Sequence, residues 1–182
     1  MVGICSYGSY VPWYQLDRTF IYNDMGWLDP ANLSHARAEK AVANFDEDSI
    51  TMAMVAGIDC LKGHNRSLIE GICLASTTML YKERLNAGIV SAALALDEYD
   101  RATDFSGGLK CSTSALLTAI DGVESGRLNN IIVCAPDCRL RKPGSSQEMI
   151  FCDAAAAFVI GDQDAIAEFK GSYPTTYDFV DH

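Results

Sequence analysis

The chain has 182 residues, 24 acidic against 14 basic side chains, and a formal net charge of −10. Hydrophobic residues make up 49% and charged residues 21%, so the composition is that of a folded chain with one core, read as a single domain over 1–182. The negative balance argues against nucleic-acid binding and against adsorption to an anionic membrane, while leaving room for a small anion held by a local basic patch.

The first segment, Val2 to Pro12, reads as a strand interrupted by glycine and closed by proline. Gln15 to Trp27 reads as a short helix in a surface excursion, Asp29-Pro30-Ala31-Asn32 as a turn, and Ala38 to Phe45 as a connector without a decisive pattern. Asp46-Glu47-Asp48-Ser49 offers an acidic N-cap to a helix whose apolar stripe is Ile50, Met54, Ile58 and Leu61, ending near Gly63. The acidic group is assigned to capping and not to metal binding, because carboxylates belong at the positive end of a helix.

Leu68 to Ala75 is an apolar run of strand length, followed by Ser76-Thr77-Thr78. In open α/β sheets such strand ends face the ligand crevice. Asn86 to Leu96 reads as a helix with Ile89, Ala93 and Leu96 inward, and Tyr99 to Phe105 as a short strand. Gly107-Gly108 leads to Cys111 at the start of a helix with Ala115, Leu116, Ala119, Ile120 and Val123 on one face and Gly126 at its stop. Unpaired N–H groups and the helix dipole there favour a thiolate. A buried, inert cysteine fits the same position equally well.

Ile131 to Ala135 has the composition of a buried parallel strand. Pro136 to Glu148 reads as a loop carrying Arg139, Arg141 and Lys142, which together offer a patch for phosphates or an acidic partner, or simply a solvated surface. Ala156 to Ile160 reads as a central strand and Ala165 to Tyr173 as a final one, leading to Tyr177–His182. Strands alternating with helices call for an α/β layered domain built on a mixed five-stranded sheet.

The seven cysteines (5, 60, 73, 111, 134, 138 and 152) are scattered through apolar segments. No basic, apolar leader opens the sequence, and no apolar run reaches the length of a bilayer span. The reading is a cytoplasmic chain with reduced thiols. No metal site is expected, since Cys134 and Cys138 lack a second pair at ligand spacing and His35, His64 and His182 stand apart.

Three local patterns, in this order of elements, resemble the N-terminal half of the thiolase superfamily. They are Gly107-Gly-Leu-Lys-Cys111 opening a helix, Ile131-Ile-Val-Cys-Ala135, and Asp153-Ala-Ala-Ala-Ala-Phe-Val-Ile-Gly161. The similarity extends over Val2 to His182 and is nearest to the hydroxymethylglutaryl-CoA synthase and ketoacyl-ACP synthase III branch. It implies a thiolase-like half-fold in which Cys111 takes an acyl group from a thioester and Claisen-type chemistry follows. Coenzyme A would enter as part of the substrate, with no resident cofactor. Cys152, beside Asp153, is the one other thiol of interest. Two departures accompany the resemblance. Thr77 stands where that branch has a general acid/base glutamate, which leaves Thr77 a substrate-orienting role and argues against hydroxymethylglutaryl-CoA synthesis itself. The activating histidine and its companion belong to a second half that this sequence does not contain.

These departures frame three expectations. The first is an acyltransferase subunit completed by a companion chain carrying the C-terminal half, in a hetero-oligomer that also pairs the strand near Tyr99 to Phe105 across a dimer contact. The second is a non-catalytic scaffold or acyl-CoA-binding subunit beside an active paralogue. The third, a free-standing cysteine hydrolase, has no histidine partner for Cys111.

Overall fold

Two sets of apolar side chains face away from each other across one twisted sheet, and this division organises the chain. In the computed structural model, which describes residues 1–97 and 101–175, the strands are β1 (Gly3–Tyr10), β4 (Gly71–Ala75), β5 (Arg101–Phe105), β6 (Asn130–Asp137), β7 (Ala154–Gly161) and the two-residue β8 (Ala167–Glu168). They run in the order β5-β4-β6-β7-β1-β8. The neighbours of β4 are parallel to it, whereas β7 pairs antiparallel with both β6 and β1. The sheet is therefore mixed, as expected, with six strands instead of five among the described residues, β8 being added along β1.

Helix α2 (Ser49–Cys60) and helix α3 (Asn86–Ala93) cover one face of the sheet. Ile72, Leu74, Ile132, Cys134, Ala157 and Val159 point into that side. Helix α4 (Cys111–Glu124) covers the other, over Cys73, Ala75, Ile131, Val133 and Ile160. Alternation along β4, β6 and β7 divides these residues between the two cores, as the pleat requires. The parallel run β4–α3–β5–α4–β6 brings the carboxyl ends of β4, β5 and β6 to one edge, where the site lies. No helix among the described residues is long and apolar enough to cross a membrane.

Capping matches the sequence closely. Asp48 is the N-cap of α2, its side chain accepting from Ile50 N and Thr51 N in a capping box with Thr51. The buried face of α2 is displaced from the expected stripe, however. Met52, Ala53, Ala56 and Cys60 are fully buried with Ile50, while Val55 and Ile58 are each 43% exposed. The cause is a close approach of helix to strand: a Cβ at Gly8 would lie 2.3 Å from Cys60 N and 2.4 Å from Ala56 O. Only small side chains fit where the helix comes nearest β1, at Ala56 and Cys60, and Val55 and Ile58 turn outward. In α3 the inward residues are Ala87 and Val90, continued by Leu94 and Leu96 beyond the helix, while Ile89 is only half-buried and Ala93 exposed.

Three further differences concern short elements. The excursion after β1 holds two short strands beside the expected helix: β2 (Tyr14–Asp17) pairs antiparallel with β3 (Glu39–Val42), and α1 (Arg18–Met25) lies between them. The strand expected over Ala165 to Tyr173 is reduced to the two residues of β8. The loop expected over Pro136 to Glu148 yields its first two residues to β6 and its last three to α5 (Ser146–Ile150). The segment Tyr177–His182 lies outside the described residues, as do Tyr99 and Asp100 of the strand that becomes β5.

Gly8→Ala should destabilise the chain by about 3 kcal/mol or more, because the added methyl meets backbone on α2 that cannot swing aside. Urea unfolding monitored by circular dichroism measures this directly.

Candidate functional site

At the carboxyl end of β4 the chain turns through Ser76-Thr77-Thr78, and one carboxylate on the neighbouring strand holds that turn. Asp137, the last residue of β6, accepts with Oδ1 from Thr77 N (2.8 Å), Ser76 Oγ (2.9 Å), Thr77 Oγ1 (3.0 Å) and Thr78 Oγ1 (3.3 Å). Beside it, Arg139 donates through Nε to Thr77 Oγ1 (3.2 Å) and reaches Asp137 Oδ2 with Nη2 at 3.5 Å. The Arg139 guanidinium lies over the Phe151 ring, 4.9 Å from its centroid. Thr77 thus donates its hydroxyl proton to Asp137 and accepts from Arg139, which leaves it one lone pair for anything that enters from outside.

A cavity of about 630 Å³ opens against this turn. Its wall consists of Thr77, Thr78, Met79 and Leu80 after β4, Asp48 and Ser49 at the start of α2, Cys138, Arg139 and Leu140 after β6, and Leu109 ahead of α4. The polar hydrogens of the wall are mostly committed: Ser49 Oγ donates to Thr78 O, and the Asp48 carboxylate caps α2.

Cys111 occupies N1 of α4, as expected. Its side chain nevertheless points into the core beside Cys73, Ala75 and Ala115, is 7% exposed, and does not line this cavity; Leu109, two residues earlier and 68% exposed, does. Among the described residues, the polar partner of Cys111 Sγ is Ser112 Oγ, at 4.0 Å. Gly107, at φ +91°, turns the chain into α4 in the left-handed region that favours glycine. His64 follows α2 on the opposite face of the sheet from α4, and His35 closes the 3₁₀ turn Pro30–His35; both are exposed.

Asp137 and Leu109 were missed by sequence reasoning. Asp137 lies 60 residues from Thr77, and its one signal is its place just past the apolar run of a strand parallel to β4. The basic loop does not form one patch. Arg139 enters the cavity, Lys142 is exposed, and Arg141 makes a buried ion pair with Asp153 at 3.0 Å. Asp153, the acid that opens the Ala-rich β7, also accepts from Ala43 N and so ties the end of β3 to the sheet. Cys152 is exposed, with Arg18 Nη2 at 3.6 Å. Burial pushes the Cys73 thiol up to about 11, and Cys134 and Cys60 are raised for the same reason.

No protein-family model matches the chain. Hydroxymethylglutaryl-CoA synthase of Pyrococcus furiosus is 31% identical over 184 residues, covering 99% of this chain and 51% of that protein. The enzyme of the same name from Methanocaldococcus jannaschii is 29% identical over 188 residues, covering 100% of this chain and 53% of its own. Among solved structures, 3-oxoacyl-(acyl carrier protein) synthase III of Pseudomonas aeruginosa superimposes with a TM-score of 0.79 at 22% identity, over 92% of this chain and 53% of that one. A hydroxymethylglutaryl-CoA synthase complexed with CoA gives 0.80 at 20% identity, over 89% and 42%. The chain has the thiolase-like half-fold of these synthases. It spans about half the length of the curated relatives it matches.

Within this thiolase-like half, Asp137→Ala should loosen the Ser76–Thr78 turn by leaving several donors without their acceptor. The expected cost is about 2 kcal/mol in urea unfolding, together with faster alkylation of Cys138, whose backbone N–H is bonded to Thr78 Oγ1. Unchanged stability and unchanged Cys138 labelling would remove Asp137 from this role.

Proposed function

We propose that the chain is one half of an acyl-CoA acyltransferase of the thiolase kind, completed by a C-terminal half on a companion chain in a hetero-oligomer. In that assembly this half supplies the wall against which the acyl thioester lies, and the reacting groups come from elsewhere. Coenzyme A enters as part of the substrate.

The observation that carries this reading is the placement of Leu109 and Cys111. The residue presented to the cavity beside Thr77 is an aliphatic side chain, and the thiol two positions later is turned into the core. A nucleophilic thiol needs an open path to the thioester carbon and a base within hydrogen-bond reach. Neither accompanies Cys111 among the described residues. Thr77 in turn has its proton committed to Asp137 and orients by accepting. The whole-length similarity to the first half of proteins named for acyl-thioester chemistry supports the substrate class.

A second reading keeps Cys111 as the acylated nucleophile, forming or cleaving a carbon–carbon bond by Claisen-type chemistry once the missing half is in place. Its support is the N1 position of Cys111 on α4, where the first-turn N–H groups and the helix dipole favour a thiolate.

Mass spectrometry after incubation with acetyl-CoA, alone and with the companion chain, separates the two. On the first reading Cys111 carries no acyl group, and Cys111→Ala changes acyl-CoA affinity less than twofold. Leu109→Cys should introduce a thiol that iodoacetamide modifies at least tenfold faster than Cys111. An acyl adduct that forms on Cys111 and disappears in Cys111→Ala establishes the second reading instead.

A further inference from the structure

Among the side chains that line the Thr77 cavity, the strong hydrogen-bond donor open to a ligand is a guanidinium. The hydroxyl hydrogens of Ser49, Thr77 and Thr78 are directed to protein acceptors. Arg139 is different. Of its five N–H bonds, Nε serves Thr77 Oγ1 and one Nη2 hydrogen faces Asp137 Oδ2 at 3.5 Å. Among the described residues, both Nη1 hydrogens and the second Nη2 hydrogen have no acceptor. The side chain is 26% exposed and rests on Phe151, so its orientation is set before any ligand arrives.

The surroundings limit what such a fork would hold. Met79, Leu80, Leu109 and Leu140 make the rest of the wall largely apolar, which suits an aliphatic chain better than a hydrated phosphate. The Asp48 carboxylate faces the N-terminus of α2 and is satisfied by Ile50 N and Thr51 N. Asp137 is occupied by four donors on Oδ1, and its second oxygen stands far enough from Nη2 to fix the plane of the fork without closing it. A group with two acceptor oxygens in one plane fits the open side.

We propose that this cavity selects acyl groups ending in a carboxylate, with Arg139 as the recognising fork. The proposal rests on the acyl-thioester reading above and adds to it a substrate class. Thr77 and Asp137 act on the ligand through Arg139, as positioning residues.

Succinyl-pantetheine and butyryl-pantetheine test this, since both lack the phosphates of coenzyme A and they differ at the acyl end. By calorimetry on the full chain, succinyl-pantetheine should bind at least tenfold more tightly, the size of a charge-assisted hydrogen bond. Arg139→Met should bring the two affinities within twofold while leaving butyryl-pantetheine within threefold of its original value. Arg139→Lys, which keeps the charge and loses the fork, should retain part of the preference, and thermal melts confirm that both variants fold. Equal binding of the two thioesters to the unmodified chain overturns the proposal and leaves the acyl-thioester reading standing. So does an Arg139→Met variant that loses both thioesters alike. Weaker binding of free coenzyme A in Arg139→Met, with the succinyl preference intact, would make the fork a phosphate site and also overturn it. Binding of neither thioester and no binding of butyryl-CoA would remove the acyl-thioester reading itself.

Discussion

The mouth of the cavity depends on how the carboxyl ends of two parallel strands are tied together. Strands β4 and β6 run side by side in register, Gly71 opposite Ile131 and Leu74 opposite Cys134. Their ends would diverge into loops but for the Asp137 carboxylate, which gathers the donors of Ser76, Thr77 and Thr78 onto one oxygen. Hydrogen bonds to a charged acceptor are among the stronger single contributions to stability, and here they converge on three successive residues. The turn fixes Thr77, Thr77 fixes the Nε of Arg139, and Phe151 supports the guanidinium from below. The polar side of the site follows from one acid at the end of one strand.

The two cores differ in how closely their helices approach the sheet. On the α2 side the approach is set by Gly8, against which the helix backbone at Ala56 and Cys60 lies almost in contact with β1. Asp104, on β5, does similar work for α3, accepting from Asn86 N and Ala87 N where Leu85 has no side chain to cap the helix. On the α4 side, Ala115, Ala119, Ile120 and Val123 pack over Cys73, Ile131 and Val133, and Cys111 lies at the near end of that row. A thiol placed there behaves as a small apolar group in a packed interior, whereas Leu109, in the exposed run 106–110 ahead of the helix, lines the cavity.

Much of this was legible in the amino-acid order, for definable reasons. The helix after Gly107-Gly108, the cap at Asp48 and the strands Gly71–Ala75, Asn130–Asp137 and Ala154–Gly161 each carry a local signal: a periodic face, a capping acid or a continuous apolar run. The face of α2 was not legible, because apolar periodicity favours Met54 and Ile58, while the true constraint is the distance to a glycine on another strand. Strands β2, β3 and β8 are too short to show alternation. At the site, Thr77 stood out through its place after a buried strand. Asp137 and Leu109 did not, since their role arises only when β4, β6 and the start of α4 meet at one edge. Three basic residues in one loop looked alike in sequence and have three different fates, in the cavity, in a buried pair and at the surface.

The irregularity in β1 has a wider reach than its single residue suggests. Pairing with β7 steps from Ile4–Ile160 to Ser6–Val159, leaving Cys5 without a partner. Ile4 therefore packs with the α4 core, while Ser6 and Gly8, of the same parity, face α2, where Ser6 Oγ donates to Cys60 O. The bulge exchanges inside for outside partway along the strand. One residue thus keeps two halves of a strand in opposite phase. Removing it would turn Ile4 toward α2 or Gly8 toward α4, so the number of residues in this strand is as tightly constrained as the glycine at position 8.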